Sequence, residues 1–253
     1  MFWSCCCLVL FLGALWREKQ RWSHMTWWEF VIIRGSNIYA RVMHRFSANR
    51  SDPFPATGPA IVAITHTCSA DPTFLLAVCR RKQLSFIVAH EFYHTHPIVT
   101  NVLDTMGCVA VKRGGQDPNA LRNALRRLGQ GGIVCLFPEG GLSGVAKNRL
   151  LHAKAGAALL ALHSRAPVIP VAIHGGPRTH KLLYSWLIPS PRSTKVIFGD
   201  PIDLSAYYDR PRNRALLEEV RDVIQQRIGE LVERPRARML PVLKTSARTP
   251  PRR

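Results

Sequence analysis

Acidic side chains are scarce in this chain, with 16 Asp and Glu against 35 Lys and Arg, a formal charge of +19 over 253 residues. So large a surplus implies an anionic partner: phospholipid headgroups, nucleotide phosphates or nucleic acid. An RNP signature and paired zinc-ligand spacings are missing, which removes the recognised nucleic-acid modules. A long uncharged run is missing too. The uncharged stretch at the start, "MFWSCCCLVLFLGALW", is 16 residues, short of the ~20 that span a bilayer as a helix. It has no basic n-region and no A-x-A cleavage site, which argues against a secretory signal. The seven cysteines, at 5, 6, 7, 68, 79, 108 and 135, show no disulfide framework. The last four sit singly in apolar runs such as "GIVCLF", as reduced core residues of a cytosolic protein do. No internal repeat is visible.

What is present is ample apolar material, 47% of the chain, enough for a core and incompatible with disorder throughout. Residues 25–46, "MTWWEFVIIRGSNIYARVMHRF", mix Trp27, Trp28, Phe30 and Val31 with Arg34, Arg41 and Arg45. That mixture suits a membrane interface and equally an amphipathic core helix. Met25 is a plausible alternative start. The last residues, "RPRARMLPVLKTSARTPPRR", read as a solvated, disordered basic tail. Three segments result: a membrane-associating stretch at 1–46, a catalytic-size domain at 47–234 and a basic tail at 235–253.

Within the middle segment "PAIVAIT", "LSFIVA", "GCVAVK", "GIVCLF", "PVIPVAI" and "TKVIFG" read as strands. "DPTFLLAVCRR" and "DPNALRNALRRLG" read as helices opened by Asp at the N-cap and Pro at N1, and "LLHAKAGAALLALHS" and 213–235 as two more. In 213–235, Leu216, Leu217, Val220, Val223, Ile224 and Ile228 recur at helical spacing, which is packing rather than chemistry. Continuous apolar strands alternating with helices predict an α/β fold: a largely parallel central sheet flanked by helices, with an N-terminal membrane-associated helical segment. In such sheets the ligand site lies beyond the carboxyl ends of the strands. His66, Arg113 and Pro138-Glu139-Gly140 all follow strands directly.

Three stretches can carry chemistry. In "HTCSAD" a strand-end His66 can serve as a general base, with Asp71 fixing its tautomer, although Asp71 has a sufficient structural role as a helix cap. In "LFPEGG" the proline and glycines either make a turn or let backbone N–H groups approach an anion, while Glu139 can hold a basic side chain or a substrate hydroxyl. In "GCVAVKRGG" Lys112 and Arg113 are solvent-facing charges or a phosphate site.

In this order and spacing, residues 59–203 resemble the glycerolipid acyltransferase family, whose bacterial members include 1-acylglycerol-3-phosphate acyltransferases. His66 and Asp71 match its His-x4-Asp block, with Thr65 where asparagine is usual. Gly107 through Arg113 match its second block, and Phe137, Pro138, Glu139 and Gly140 its Phe-Pro-Glu-Gly block. "APVIPVAI" and "GDPI" match two later elements. The chain departs from the pattern at Leu142, where the family has arginine, and at Ala89, where lysine is frequent.

The resemblance implies that His66, oriented by Asp71, deprotonates the hydroxyl of a lysophospholipid, most simply 1-acylglycerol-3-phosphate. That hydroxyl then attacks the thioester of acyl-CoA or acyl-carrier protein. Arg113 with Lys112 would hold the acceptor phosphate, and Phe137, Pro138, Glu139 and Gly140 would shape its pocket. It implies no cofactor beyond the thioester co-substrate, no metal, no nucleic-acid partner, and anionic lipids at the cytoplasmic face of the cell membrane. Three rivals stand beside it. "HEFYH" matches the zinc-protease motif, with His90 and His94 as ligands and Glu91 activating water, but Pro97 leaves its helix little room. Cys68 or Ser69 next to His66 suggests a hydrolase, but the G-x-S-x-G elbow is absent, Ser143 being followed by Gly144 and Val145. A non-catalytic lipid-binding relative is the third.

Overall fold

The computed structural model describes residues 16, 18–20, 25–50, 53–79, 84–114, 117–142, 152–177, 182–190 and 192–233. Cys5, Cys6 and Cys7, the uncharged run up to residue 15, Ser143 and the tail at 235–253 lie outside them.

Seven strands form one sheet: β1 (Ser47–Ala48), β2 (Ala60–Ile64), β3 (Leu84–Ala89), β4 (Val109–Val111), β5 (Ile133–Leu136), β6 (Val168–His174) and β7 (Lys195–Phe198), in the order β1-β7-β6-β2-β5-β3-β4. The expected largely parallel α/β sheet flanked by helices is what the chain adopts. Strands β6, β2, β5, β3 and β4 are mutually parallel. Only β7 runs against its neighbour β6, with Val171 opposite Phe198. The carboxyl ends of β2, β5, β3 and β4 therefore share one edge, which collects the residues that follow them.

The central strands are apolar on both faces because both are covered. Ala60, Val62 and Ile64 pack in one cluster with Ile33 and Ala40 of α1 (Trp27–His44) and with Phe74 and Leu75 of α2 (Asp71–Leu76). Ile61 and Ala63 pack on the opposite face. There they meet Ala124 and Leu128 of α5 (Pro118–Gly129), Leu160 and Ala161 of α6 (Gly156–Ser164), and Leu216, Val220, Ile224 and Ile228 of α8 (Arg214–Glu233). Each such isoleucine or leucine contributes roughly 1.5–3 kcal/mol by its burial. Two short helices, α3 (His90–Tyr93) and α4 (Pro97–Thr105), bridge β3 to β4, and α7 (Leu182–Leu187) follows β6.

Helix α1 begins with a capping box, Glu29 N–H donating to Thr26 Oγ1 and Thr26 N–H to Glu29 Oε2. It buries Phe30, Ile33, Asn37, Ala40 and His44, and so belongs to the same packed body as the sheet. Its other side is unusual for a helix facing water. Trp28, Val31, Gly35, Ile38 and Val42, spaced by three and four residues, are all exposed. Among the described residues no helix is long and apolar enough to cross a membrane.

Several boundaries differ from the sequence reading. The run at 107–112 is a strand only over Val109–Val111, because Gly107, at φ +63°, ends the preceding helix instead. The segment at 152–155 is not helical; α6 starts at Gly156. The αL residue after α5 is Gly131 (φ +76°) rather than Gly129.

Candidate active site

Strand β2 stops where Thr65 interrupts it. The Thr65 N–H still donates to the Val171 carbonyl, but its buried Oγ1 accepts the N–H of Ile173 at 2.9 Å. A side-chain oxygen thus takes over a backbone partner on β6, and the chain turns away at His66. The threonine that departs from the family pattern has a structural use here.

His66 Nδ1 lies 3.0 Å from Asp71 Oδ2, and the Asp71 side chain is fully buried. Asp71 does not cap its helix. Ala70 occupies the N-cap without a side-chain bond, Asp71 is the first helical residue and Pro72 follows it. Its carboxylate turns back to the loop, accepting the backbone N–H groups of Thr67 and Cys68, the Thr67 hydroxyl at 2.9 Å and the Cys68 thiol at 3.3 Å. Contrast Asp117, before the other Asp-Pro pair, which does sit at the N-cap and accepts the N–H groups of Asn119 and Ala120. The capping explanation holds for Asp117 and fails for Asp71. A buried carboxylate costs several kcal/mol unless its lone pairs are filled. Here the 66–68 loop fills them, so loop and carboxylate fix each other. Thr67, which the sequence reading passed over, gives two of these bonds, as Cys68 does; its hydroxyl within reach of an i+4 aspartate was the available signal.

With Nδ1 held against a carboxylate, the ring takes the tautomer with its proton on Nδ1, and Nε2 becomes the basic nitrogen. The ring plane is set from its other side. Phe137, at the end of the neighbouring β5, stacks on His66 with centroids 3.9 Å apart and planes at 23°. Glu139, buried, accepts the His66 backbone N–H at 3.2 Å. In this geometry its carboxylate holds the histidine's main chain. Pro138 is buried and Gly140 adopts φ +64°, a left-handed turn that favours glycine. The side chain of Lys154, which no sequence periodicity marks, lies across Gly140, its Nζ 2.8 Å from where a Cβ would stand.

Lys112 and Arg113 stand apart from this cluster. They follow β4, the third strand from β2, a separation of about 14 Å at the usual strand spacing. Both are exposed. The Lys112 N–H donates to Asp117 Oδ2, while Arg113 Nη1 pairs with Glu91 Oε1 at 3.1 Å and its guanidinium lies 5.4 Å from the Phe92 ring centre. The residues expected to share one crevice thus fall into two groups, one around His66 and one around Arg113.

The rival motifs read differently in three dimensions. His90 and His94 have rings 4.6 Å apart, but α3 is a single turn, His94 already lies at its C-cap, and Glu91 is engaged with Arg113. Among the described residues no group of three or more His, Cys, Asp or Glu is arranged to hold a metal ion. Burial, and next to it the Asp71 charge, pushes the Cys68 thiol well above its ordinary range. At neutral pH Cys68 is a buried thiol donating to Asp71, not a thiolate nucleophile.

The acyltransferase family model matches residues 45–174, just over half of the chain. The chain belongs to the acyltransferase family. The matched span holds His66, Asp71, Lys112, Arg113 and Phe137 through Gly140. Among solved structures, this acyltransferase is similar to the crystal structure of the 1-acyl-sn-glycerophosphate (LPA) acyltransferase PlsC from Thermotoga maritima, at 21% identity, with a TM-score of 0.58 over 83% of each chain. At that identity the likeness establishes the shared fold. No curated protein sequence matches the acyltransferase.

Proposed function

We propose that this enzyme transfers a fatty acyl group from an acyl thioester to the free hydroxyl of a lysophospholipid, with 1-acylglycerol-3-phosphate as the acceptor and phosphatidic acid as the product. The observation that carries the reading is the His66–Asp71 pair at a strand's carboxyl end, backed by Phe137 and Glu139 from the next strand.

In this reading Nε2 of His66 takes the hydroxyl proton as the oxygen attacks the thioester carbon. The new C–O bond forms, the C–S bond breaks, and the proton passes from His66 to the leaving sulfur. Asp71 keeps the proton of Nδ1 in place and stabilises the imidazolium between the two transfers, a contribution of roughly 100- to 10,000-fold in rate for the base as a whole. The transfer is direct, so it asks for no cofactor beyond the acyl-CoA or acyl-carrier protein that donates the group. Phe137, Pro138 and Gly140 line the approach to His66, Glu139 positions the histidine's backbone, and Arg113 with Lys112 attracts the acceptor's phosphate at the outer part of the edge.

The acceptor and product are lipids, and the exposed stripe of α1 supports work at an anionic membrane surface. Tyr39 joins that helix to α7, donating to the Trp186 carbonyl at 2.8 Å, and α7 adds exposed Trp186 and Leu187, with Ile188 just beyond it. Aromatic and aliphatic side chains on a chain of charge +19 suit an interface of that kind. The buried free thiols Cys68, Cys79, Cys108 and Cys135 fit a reducing compartment, and hence the cytoplasmic face.

Purified enzyme given labelled acyl-CoA or acyl-carrier protein and a panel of lysolipids tests the reading. Acyl transfer to 1-acylglycerol-3-phosphate above all other headgroups is expected. Hydrolysis of the thioester without an acylated lipid would reject it.

A further inference from the structure

The segment before α6 is pinned to the Phe137–Gly140 turn by its backbone. The Lys154 N–H donates to the Pro138 carbonyl at 2.7 Å, and the neighbouring Ala153 N–H donates to Gln225 Oε1 of α8 at 2.9 Å. These two bonds fix where the lysine side chain starts. It then runs across Gly140, with Cδ, Cε and Nζ at 2.9, 2.7 and 2.8 Å from the place a Cβ on that glycine would take. Any larger residue at 140 would displace it. The lysine is exposed and forms no ion pair among the described residues, whereas Arg113 already holds Glu91.

Position separates the two cations further. Gly140 is next in sequence to Glu139, whose carboxylate holds the His66 N–H, and the Lys154 ammonium lies over that glycine. Arg113 is three strands from β2. In a lysophosphatidic acid only a few bonds separate the free hydroxyl from the phosphorus. A cation that holds the phosphate while the hydroxyl meets His66 must therefore stand on the Phe137–Gly140 side of the edge rather than three strands away, and Lys154, lying over Gly140, is on that side.

We propose that Lys154 binds the phosphate of the acceptor beside the reacting hydroxyl, in addition to the outer attraction by Lys112 and Arg113. This rests on the acceptor reading above. An ammonium meets phosphate as a point charge, and here its stem is held over a glycine so that little side-chain freedom is lost on binding.

The test is steady-state kinetics of the full chain with a labelled acyl thioester and two acceptors of equal chain length in the same micelles, 1-acylglycerol-3-phosphate and the corresponding monoacylglycerol. Lys154→Ala should raise KM for the phosphate-bearing acceptor about tenfold or more. It should leave kcat and the thioester KM nearly unchanged and leave the monoacylglycerol untouched. Lys154→Arg should recover most of the loss, and Tm should match the parent in both variants. An unchanged KM, or an equal loss on both acceptors, overturns the assignment of Lys154 alone while the acceptor reading survives. A parent chain that does not turn over the phosphate-bearing acceptor removes that reading, and this inference with it.

Discussion

Asp71 touches Nδ1 of His66 at 3.0 Å with the same carboxylate that gathers the Thr67 and Cys68 backbone N–H groups, so the loop carrying the histidine is built around the group that orients it. Replacing Asp71 by Asn keeps the shape but turns one oxygen into a donor facing donors. We expect kcat to fall about 100- to 10,000-fold with the acceptor KM less affected, and stability to fall by about 1–3 kcal/mol. Kinetics and urea unfolding of Asp71→Asn check both; parental kcat in that variant would remove the orienting role.

Cys68 is the nearest rival nucleophile, and its buried, protonated thiol predicts indifference. Cys68→Ala should retain acyl transfer. Peptide mapping after treatment of the native enzyme with iodoacetamide should find residue 68 unmodified. An acyl group trapped on Cys68 by mass spectrometry would replace direct transfer with a covalent route.

Gly140 combines a left-handed backbone with the close approach of Lys154. Gly140→Ala should cost about 1–2 kcal/mol from the backbone alone and push the lysine aside. Tm and acceptor KM measured together check it: both should shift, Tm down and KM up, without a matching change in the thioester KM.

His44 gives the fold an acid-sensitive element. It is buried between the Ser190 hydroxyl at 2.7 Å and the Tyr39 hydroxyl at 2.9 Å, and desolvation lowers its pKa from the ordinary 6.5. The unfolded chain therefore binds a proton at higher pH than the folded one. Stability from this residue is complete above 6.5 and declines as pH falls below it toward the lowered value, by at most about 1.4 kcal/mol per pH unit. Urea unfolding between about pH 7.5 and pH 5 should show that decline in the parent chain and a flatter profile in His44→Gln.

The strands were legible because both faces of the sheet are covered, which leaves β2 and β5 as unbroken apolar runs and brings His66 and Phe137 to one edge by simple parallel order. The role of Asp71 was obscured because Asp-Pro carries the same local signal at 71 and 117; only the tertiary acceptors of the 66–68 loop distinguish them. Sequence does not reveal that the buried Glu139 carboxylate answers the His66 main-chain N–H just past the end of β2. The position of Lys154 over Gly140 carries no sequence signal. Its place depends on two long-range backbone bonds, to Pro138 and to Gln225 on a helix some seventy residues away, and neither leaves a periodic trace.

The central claim is that His66 is the base for acyl transfer to a lipid hydroxyl. Initial rates of His66→Ala and the parent enzyme with labelled acyl-CoA and 1-acylglycerol-3-phosphate, at equal vesicle binding and equal Tm, test it most directly. The account predicts a loss of at least about 100-fold in kcat with binding retained. A His66→Ala enzyme that acylates the lipid at the parental rate would contradict it.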